Sequence, residues 1–195
     1  ILFISTKKQA AEAVAELAKE TDQFYVNHRW LGGMLTNWGT ISNSIKKLEK
    51  INLDLVSENR GFTKKELLKM SVQRDKLQKS LGGIYEMKKV PDLVFVIDTN
   101  YESLAIAESS KLGIPIIAIL DSNSNPDNID FPIPGNDDAR RSIDLYCNLI
   151  KETIESAKKE LPSSQTNSTQ RNLIKKESEE IKKKDKSKKD NSPIN

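Results

Sequence analysis

Continuous apolar runs of strand length recur along this chain and alternate with segments of helical periodicity. Residues 93–97 and 116–120 are apolar at every position, as in strands that are buried on both faces. Further strands are predicted at 1–5, 24–30 and 131–133, and helices at 8–19, 101–111 and 137–161. This βαβ alternation predicts an α/β fold, in which a parallel sheet carries helices on both faces.

The sixty or so residues between the second and third predicted strands are too many for an ordinary loop. They show steps of three and four in two stretches, which are Ile41, Ile45, Leu48, Asn52 and Leu55, and then Leu67, Met70, Arg74, Leu77, Leu81 and Ile84. A break at 59–61 separates the two stretches. We therefore expect an inserted antiparallel helical hairpin, or coiled coil, at 41–85, and an α/β domain formed by 1–40 and 86–161. A packed pair of core helices is the alternative.

The formal charge of +3 is the sum of unlike parts. Residues 1–90 carry a net +6, residues 91–161 a net −7 and residues 162–195 a net +4. The last segment is rich in Lys and has few apolar residues, so it is predicted to be a disordered tail. The basic half of the remainder could face a polyanion, although fold neighbours could equally mix the two charges.

The sequence lacks the motifs of several enzyme classes and the long apolar run of a membrane-spanning helix. Phosphate-loop, dinucleotide-binding and zinc-protease motifs are absent, and no apolar run approaches the roughly 18 residues that cross a bilayer. The single cysteine, Cys147, is expected to be a core thiol, so the single histidine, His28, has no partner with which to share a metal.

The strongest enzyme-like signal is a pair of aspartates at predicted strand ends. Asp98 and Asp121 directly follow apolar strands, and ligands of open α/β sheets bind at the carboxyl ends of strands. With Asp137 and Asp138 they could bind Mg²⁺, which makes a Mg-dependent or ligand-binding enzyme the alternative function. Strand-end Asp residues also commonly cap the next turn, so our leading expectation is no metal, no cofactor and no catalysis.

Several ordered stretches carry a family resemblance: ILFISTKKQA, VNHRWLGGMLTNWGTI, SLGGIYEM, PDLVFVID and GIPIIAILDSNSNPDNIDFPIPGNDDA. The chain closely resembles the bacterial and organellar ribosomal protein S2 family of the small subunit, without that family's N-terminal segment. The resemblance implies a flavodoxin-like α/β domain with an inserted helical hairpin. It also implies binding to small-subunit rRNA and to other small-subunit ribosomal proteins, including the mRNA-binding protein S1. Ser5 departs from a glycine that is usual in the first motif.

If the chain binds rRNA, its basic half supplies the candidate contacts, because cations neutralise phosphates and aromatic rings stack on exposed bases. The candidates are Lys7, Lys8, Arg29, Trp30, Lys46, Lys47, Lys64 and Lys65. Each lysine could instead be an ordinary solvated side chain, and Trp30 could pack in the core. The expected location is the ribosome in the cytoplasm of a bacterium, with an organellar ribosome as the alternative.

Overall fold

The computed structural model describes residues 1–56 and 61–160. Five strands form one sheet: β1 (Leu2–Ile4), β2 (Phe24–Val26), β3 (Val94–Ile97), β4 (Ile116–Leu120) and β5 (Phe131–Pro134). The helices are α1 (Ala11–Glu20), α2 (Trp38–Val56), α3 (Lys64–Leu81), α4 (Ser103–Lys111) and α5 (Arg140–Glu160), and a 3₁₀ turn spans Gly82–Ile84. The chain divides into a compact unit, Ile1–Thr153, and a second unit that starts at Ile154, of which only the last residues of α5 are described.

All strand pairs are parallel, and the sheet order is β2-β1-β3-β4-β5. The prediction of an α/β fold with a parallel sheet is therefore confirmed. The order reverses direction between β1 and β3, and this is the point at which open α/β sheets have a crevice at their carboxyl edge. In the described part of the chain, each helix is too short or too polar to span a membrane.

Side-chain alternation divides the sheet residues between two packed faces. Leu2, Val94 and Ile116 belong to a buried cluster that also contains the loop after β2, the base of α2 and residues of α4. Phe3 and Phe95 have the opposite parity, and their rings meet edge to face with centroids 5.6 Å apart. The buried side chains of α1 and α5 lie outside that cluster, and ion pairs join these two helices, so they cover the other face.

Several predicted strand and helix boundaries are wrong, because side chains near the strand ends form hydrogen bonds with the following loops. The second strand ends at Val26 rather than residue 30, since the following loop turns toward α4. Helix α4 begins at Ser103 rather than residue 101, because Asp98 Oδ1 accepts from the backbone N–H groups of residues 100 and 101. Asn136 Oδ1 likewise accepts from the N–H groups of Asp138 and Ala139, ahead of a helix α5 that begins at Arg140.

Two consecutive helices, α2 and α3, do occupy the long insertion, and they contact each other. Their antiparallel coiled-coil arrangement and their status as a separate domain stay predictions, and the loop at 57–60 and the tail from 161 lie outside the described residues. The buried stripe of α2 differs from the predicted one at its end. Ile51 and Asp54 are buried, whereas Asn52 and Leu55 are partly exposed.

Gly83 fits closely against the edge of the sheet. A Cβ atom at this position would overlap the carbonyl oxygen of Tyr25 and lie 2.7 Å from its ring. We expect Gly83→Ala to lower the free energy of unfolding by about 2 kcal/mol, because β2 and the turn after α3 would have to separate. Urea denaturation of the purified chain measures this change.

Gly39→Ala is the matched control, because a Cβ at that position in α2 meets no atom within 4 Å. Alanine in a helix should leave stability equal or raise it by up to about 1 kcal/mol. Equal stability of the two variants would contradict the close fit at Gly83.

Candidate functional site: the carboxyl edge of the sheet

The loop after β2 is held by one buried carboxylate on α4. Glu108 is 6% exposed. Its Oε1 accepts from the indole Nε1 of Trp30 at 3.0 Å and from the backbone N–H of Gly33 at 2.8 Å. Its Oε2 accepts from the backbone N–H groups of Leu35 and Thr36 and from the Thr36 hydroxyl, each at 3.0 Å. One charged side chain thus accepts five hydrogen bonds, all of them from four residues of the loop after β2.

The hydrogen bond from Gly33 explains why the loop has a glycine at this position. Gly33 has a positive φ of 82°, a conformation that costs a residue with a Cβ, and its N–H then points at Glu108. Burial by itself would raise the pKa of Glu108, but the hydrogen bonds from Thr36, Trp30, Leu35 and Gly33 outweigh it and lower the pKa from 4.5 to about 2. The carboxylate is therefore charged in the folded chain throughout the physiological range.

A second group of charges lies beyond the carboxyl ends of the adjacent strands β1 and β3. The ammonium group of Lys7 contacts Asp98 Oδ2 at 3.0 Å and Asp137 Oδ1 at 2.8 Å, and it also pairs with Asp138. Burial would lower the pKa of Lys7, but its hydrogen bonds to Asp137, Asp138 and Asp98 prevail and raise the pKa above the ordinary value. Lys7 is therefore a fixed cation inside the protein.

The aspartates predicted from strand ends do come together. Carboxylate oxygens of Asp121, Asp137 and Asp138 lie within 4.8 Å of one another, and Asp98 joins the last two through Lys7. The Lys7 ammonium group supplies one positive charge to this cluster and pairs with Asp98, Asp137 and Asp138. No histidine or cysteine of the described chain joins these carboxylates. The carboxylates thus lie together as the Mg²⁺ alternative predicted, but two of the three are already bound by the ammonium group of Lys7.

The loops after β1 and β3 are further tied by Glu102, which is buried. Its Oε1 accepts from the backbone N–H and the hydroxyl of Thr6, each at 2.6 Å. Burial raises the pKa of Glu102, and the two Thr6 hydrogen bonds act in the opposite direction. Ser5, the departure from the usual glycine, is also buried, and its hydroxyl donates to the carbonyl of Ile97 at 3.2 Å. The extra hydroxyl is therefore satisfied within the sheet.

The predicted RNA-binding residues are divided among several places. Lys8 and Arg29 are exposed on loops at the carboxyl edge, whereas Lys7 is enclosed by carboxylates. Trp30 is 8% exposed, so its ring has no face open to a base. Four further lysines are exposed on the insertion: Lys46 and Lys47 in α2, Lys64 and Lys65 at the start of α3. The sequence prediction missed Glu108 and Glu102. Of these, Glu108 could have been suspected because it shares a stripe of α4 with Ala105 and Ser109.

The buried cysteine agrees with its predicted role. Burial raises the pKa of the Cys147 thiol to about 11, with the carboxylate of Asp144 as a second cause. The thiol is thus protonated and unreactive near neutral pH.

The fold and its carboxyl edge define a flavodoxin-like α/β protein in which Asp98 and Asp137, near the strand ends, pair with a lysine of the same chain. A family model described as Ribosomal protein S2 matches residues 1–157. The chain belongs to the ribosomal protein S2 family.

Individual relatives agree with the family model. Small ribosomal subunit protein uS2 of Parvibaculum lavamentivorans is 57% identical over 154 residues, which are 79% of this chain and 61% of the relative. The uS2 protein of Rhodospirillum centenum is 61% identical over 155 residues, 79% of this chain and 59% of the relative. That of Agrobacterium fabrum is 59% identical over 150 residues, 77% and 59% of the two chains. This chain therefore spans about three fifths of the length of these curated relatives.

Removing the charge of Glu108 should destabilise the chain. We expect Glu108→Gln to lower the free energy of unfolding by about 3 kcal/mol near neutral pH, as the lowered pKa implies. Because the pKa in the folded state lies below the unfolded value, this contribution is complete above about pH 5 and is lost as the pH falls toward about 2. Urea denaturation over a pH series measures it.

The exposed Glu16 on α1 provides the control, and Glu16→Gln should change stability by less than about 0.5 kcal/mol. A difference between Glu108→Gln and the parent chain that stays constant down to pH 3 would contradict the assignment to Glu108.

Lys7 and Lys8 form a natural pair of test positions. Lys7→Met should lower the free energy of unfolding by about 3 kcal/mol, because it leaves Asp98 and Asp137 as unpaired, poorly hydrated charges. Lys8→Met removes an exposed charge and should cost less than about 0.5 kcal/mol. Denaturation midpoints that match for the two variants would show that the Lys7 ion pairs contribute nothing.

Proposed function

We propose that this chain is a structural constituent of the small ribosomal subunit, where it binds rRNA and neighbouring ribosomal proteins in translation. The match to the ribosomal protein S2 family over residues 1–157 carries this proposal. The relatives described above are named small ribosomal subunit proteins and come from bacteria, which favours a ribosome in a bacterial cytoplasm. The mRNA-binding protein S1 is a further proposed partner, from the family resemblance.

The charges of the structure are arranged in a way that suits this function. In the acidic half, Asp98 and Asp137 are buried against Lys7, which removes part of the negative field from the surface, whereas Asp138 pairs with Lys7 but stays exposed. The basic half keeps Lys8 and Arg29 exposed, and no other side chain of the described residues forms an ion pair with either. Dispersed, hydrated cations of this kind bind phosphates without sequence preference.

Association with the small subunit is the direct test of the proposed function. The tagged 195-residue chain, expressed in a bacterium, should sediment with small subunits on a sucrose gradient and stay with them at moderate salt. A tagged chain found only at the top of the gradient, although folded by circular dichroism, would count against a ribosomal function.

The salt dependence of binding to purified small-subunit rRNA tests the proposed cations. Each phosphate contact contributes about one to the slope of log K against log salt, so Lys8→Ala and Arg29→Ala should each reduce that slope by about 1. The control is Lys111→Ala, which removes an exposed charge from the far end of α4. A slope that all three variants leave unchanged would remove Lys8 and Arg29 from the interface.

A further inference from the structure

A large aromatic side chain is exposed on the carboxyl edge of the sheet. Tyr101, in the turn between β3 and α4, is 69% exposed, and Leu104, three residues later, is 51% exposed. Residues three apart at a helix start lie on the same side, so the two form one apolar strip. The ideal Cβ of Gly32 lies 3.8 Å from a methyl group of Leu104, which places the strip beside the loop after β2.

The backbone on both sides of Tyr101 is fixed. Asp98 Oδ1 accepts from the N–H groups of Asn100 and Tyr101, each at 3.1 Å. The next residue, Glu102, is bound twice by Thr6 at 2.6 Å, and the Asn100 amide donates to the carbonyl of Asn123 at 3.2 Å. The ring is thus presented from a rigid turn, so a partner that covers it loses little chain entropy in binding.

Exposed cations flank this turn on one side only. In the order β2-β1-β3, neighbouring strands are about 4.8 Å apart, so the loops that carry Arg29, Lys8 and Tyr101 follow one another along the edge. The β4 and β5 side of the same edge carries carboxylates instead, among them Asp121 and Asp138. A polyanion that reaches Tyr101 is therefore directed across the β1 and β2 loops and away from β5.

We propose that Tyr101 stacks on an unpaired base of a single-stranded RNA segment whose phosphates are held by Lys8 and Arg29. This inference rests on the proposed rRNA-binding function and names the kind of nucleotide that this edge takes. An aromatic ring beside cations binds single strands because every base has a face that can stack, whereas the bases of a duplex are already stacked. Trp30 cannot serve in this role, since it is buried against Glu108.

The test compares a single strand with a duplex. Fluorescence anisotropy of a labelled, unstructured oligoribonucleotide gives the dissociation constant of the 195-residue chain, and the annealed duplex of the same sequence gives the reference. Tyr101→Ala should weaken binding to the single strand about tenfold and binding to the duplex less than about twofold. Tyr101→Phe keeps the ring and should bind the single strand as the parent chain does.

Leu112→Ala is the matched control, because Leu112 is a 44% exposed apolar side chain at the opposite end of α4. It should leave both dissociation constants unchanged. Equal binding of the single strand by Tyr101→Ala and the parent chain would overturn the stacking site, as would equal weakening of single strand and duplex. Competition by polyglutamate as effective as that by RNA would assign the edge to an acidic polypeptide and would also overturn it.

The proposed function is decided separately, by sedimentation with small subunits. If the parent chain sediments with small subunits but Tyr101→Ala binds the single strand with the same dissociation constant as the parent chain, only the stacking site is refuted. If the parent chain binds neither the single strand nor the duplex, the stacking site is also refuted. If the parent chain fails to sediment with small subunits, the ribosomal function itself is refuted.

Discussion

The carboxylate of Glu108 is the interaction on which the arrangement of this chain depends. The sheet requires the chain to leave β2 at one edge, pass through the long helical insertion and return as β3 on the far side of β1. Glu108 fixes the start of that path, because the loop after β2 gives it all five of its donors, among them the indole N–H of the buried Trp30. A buried charge with this many donors is stable, whereas the same charge with fewer would be costly.

Lys7 is a cation that lies among carboxylates at the crevice between β1 and β3. Carboxylates converge there because strands of a parallel sheet end at a common edge, and Asp98, Asp137 and Asp138 would repel one another without a cation. In many α/β enzymes such a crevice receives a ligand. Here the ammonium group of Lys7 lies among the carboxylates of the crevice.

The fold places the basic and acidic parts of the sequence at different ends of the same sheet edge. The net negative charge of residues 91–161 is partly satisfied internally, by Lys7 and by the donors around Glu108. The loops after β1 and β2 keep exposed cations, and the loops of β4 and β5 keep carboxylates. One edge of one sheet is therefore basic at one end and acidic at the other, which orients a polyanionic partner as well as attracting it.

The sequence by itself determined the fold class, the number of strands and the presence of two long inserted helices. Apolar runs and helical periodicity are local signals. They sufficed to predict a parallel sheet, because sequential βαβ units form parallel sheets. It also placed Asp98 and Asp121 at strand ends, and its motifs identified the family. Strand and helix ends were less predictable, since Asp98 and Asn136 compete for the backbone N–H groups that a helix would use.

Only the tertiary structure decided what the charged and aromatic residues do. Lys7 and Lys8 are neighbours of the same type, yet one is enclosed by three carboxylates and the other is exposed. Trp30 and Tyr101 are both aromatic, yet the first is buried against Glu108 and the second is open to solvent. The partners of Trp30 and Lys7 lie 78 and 130 positions away in the chain. No local pattern encodes which of two similar side chains meets such a partner, because that depends on how distant strands and loops are brought together.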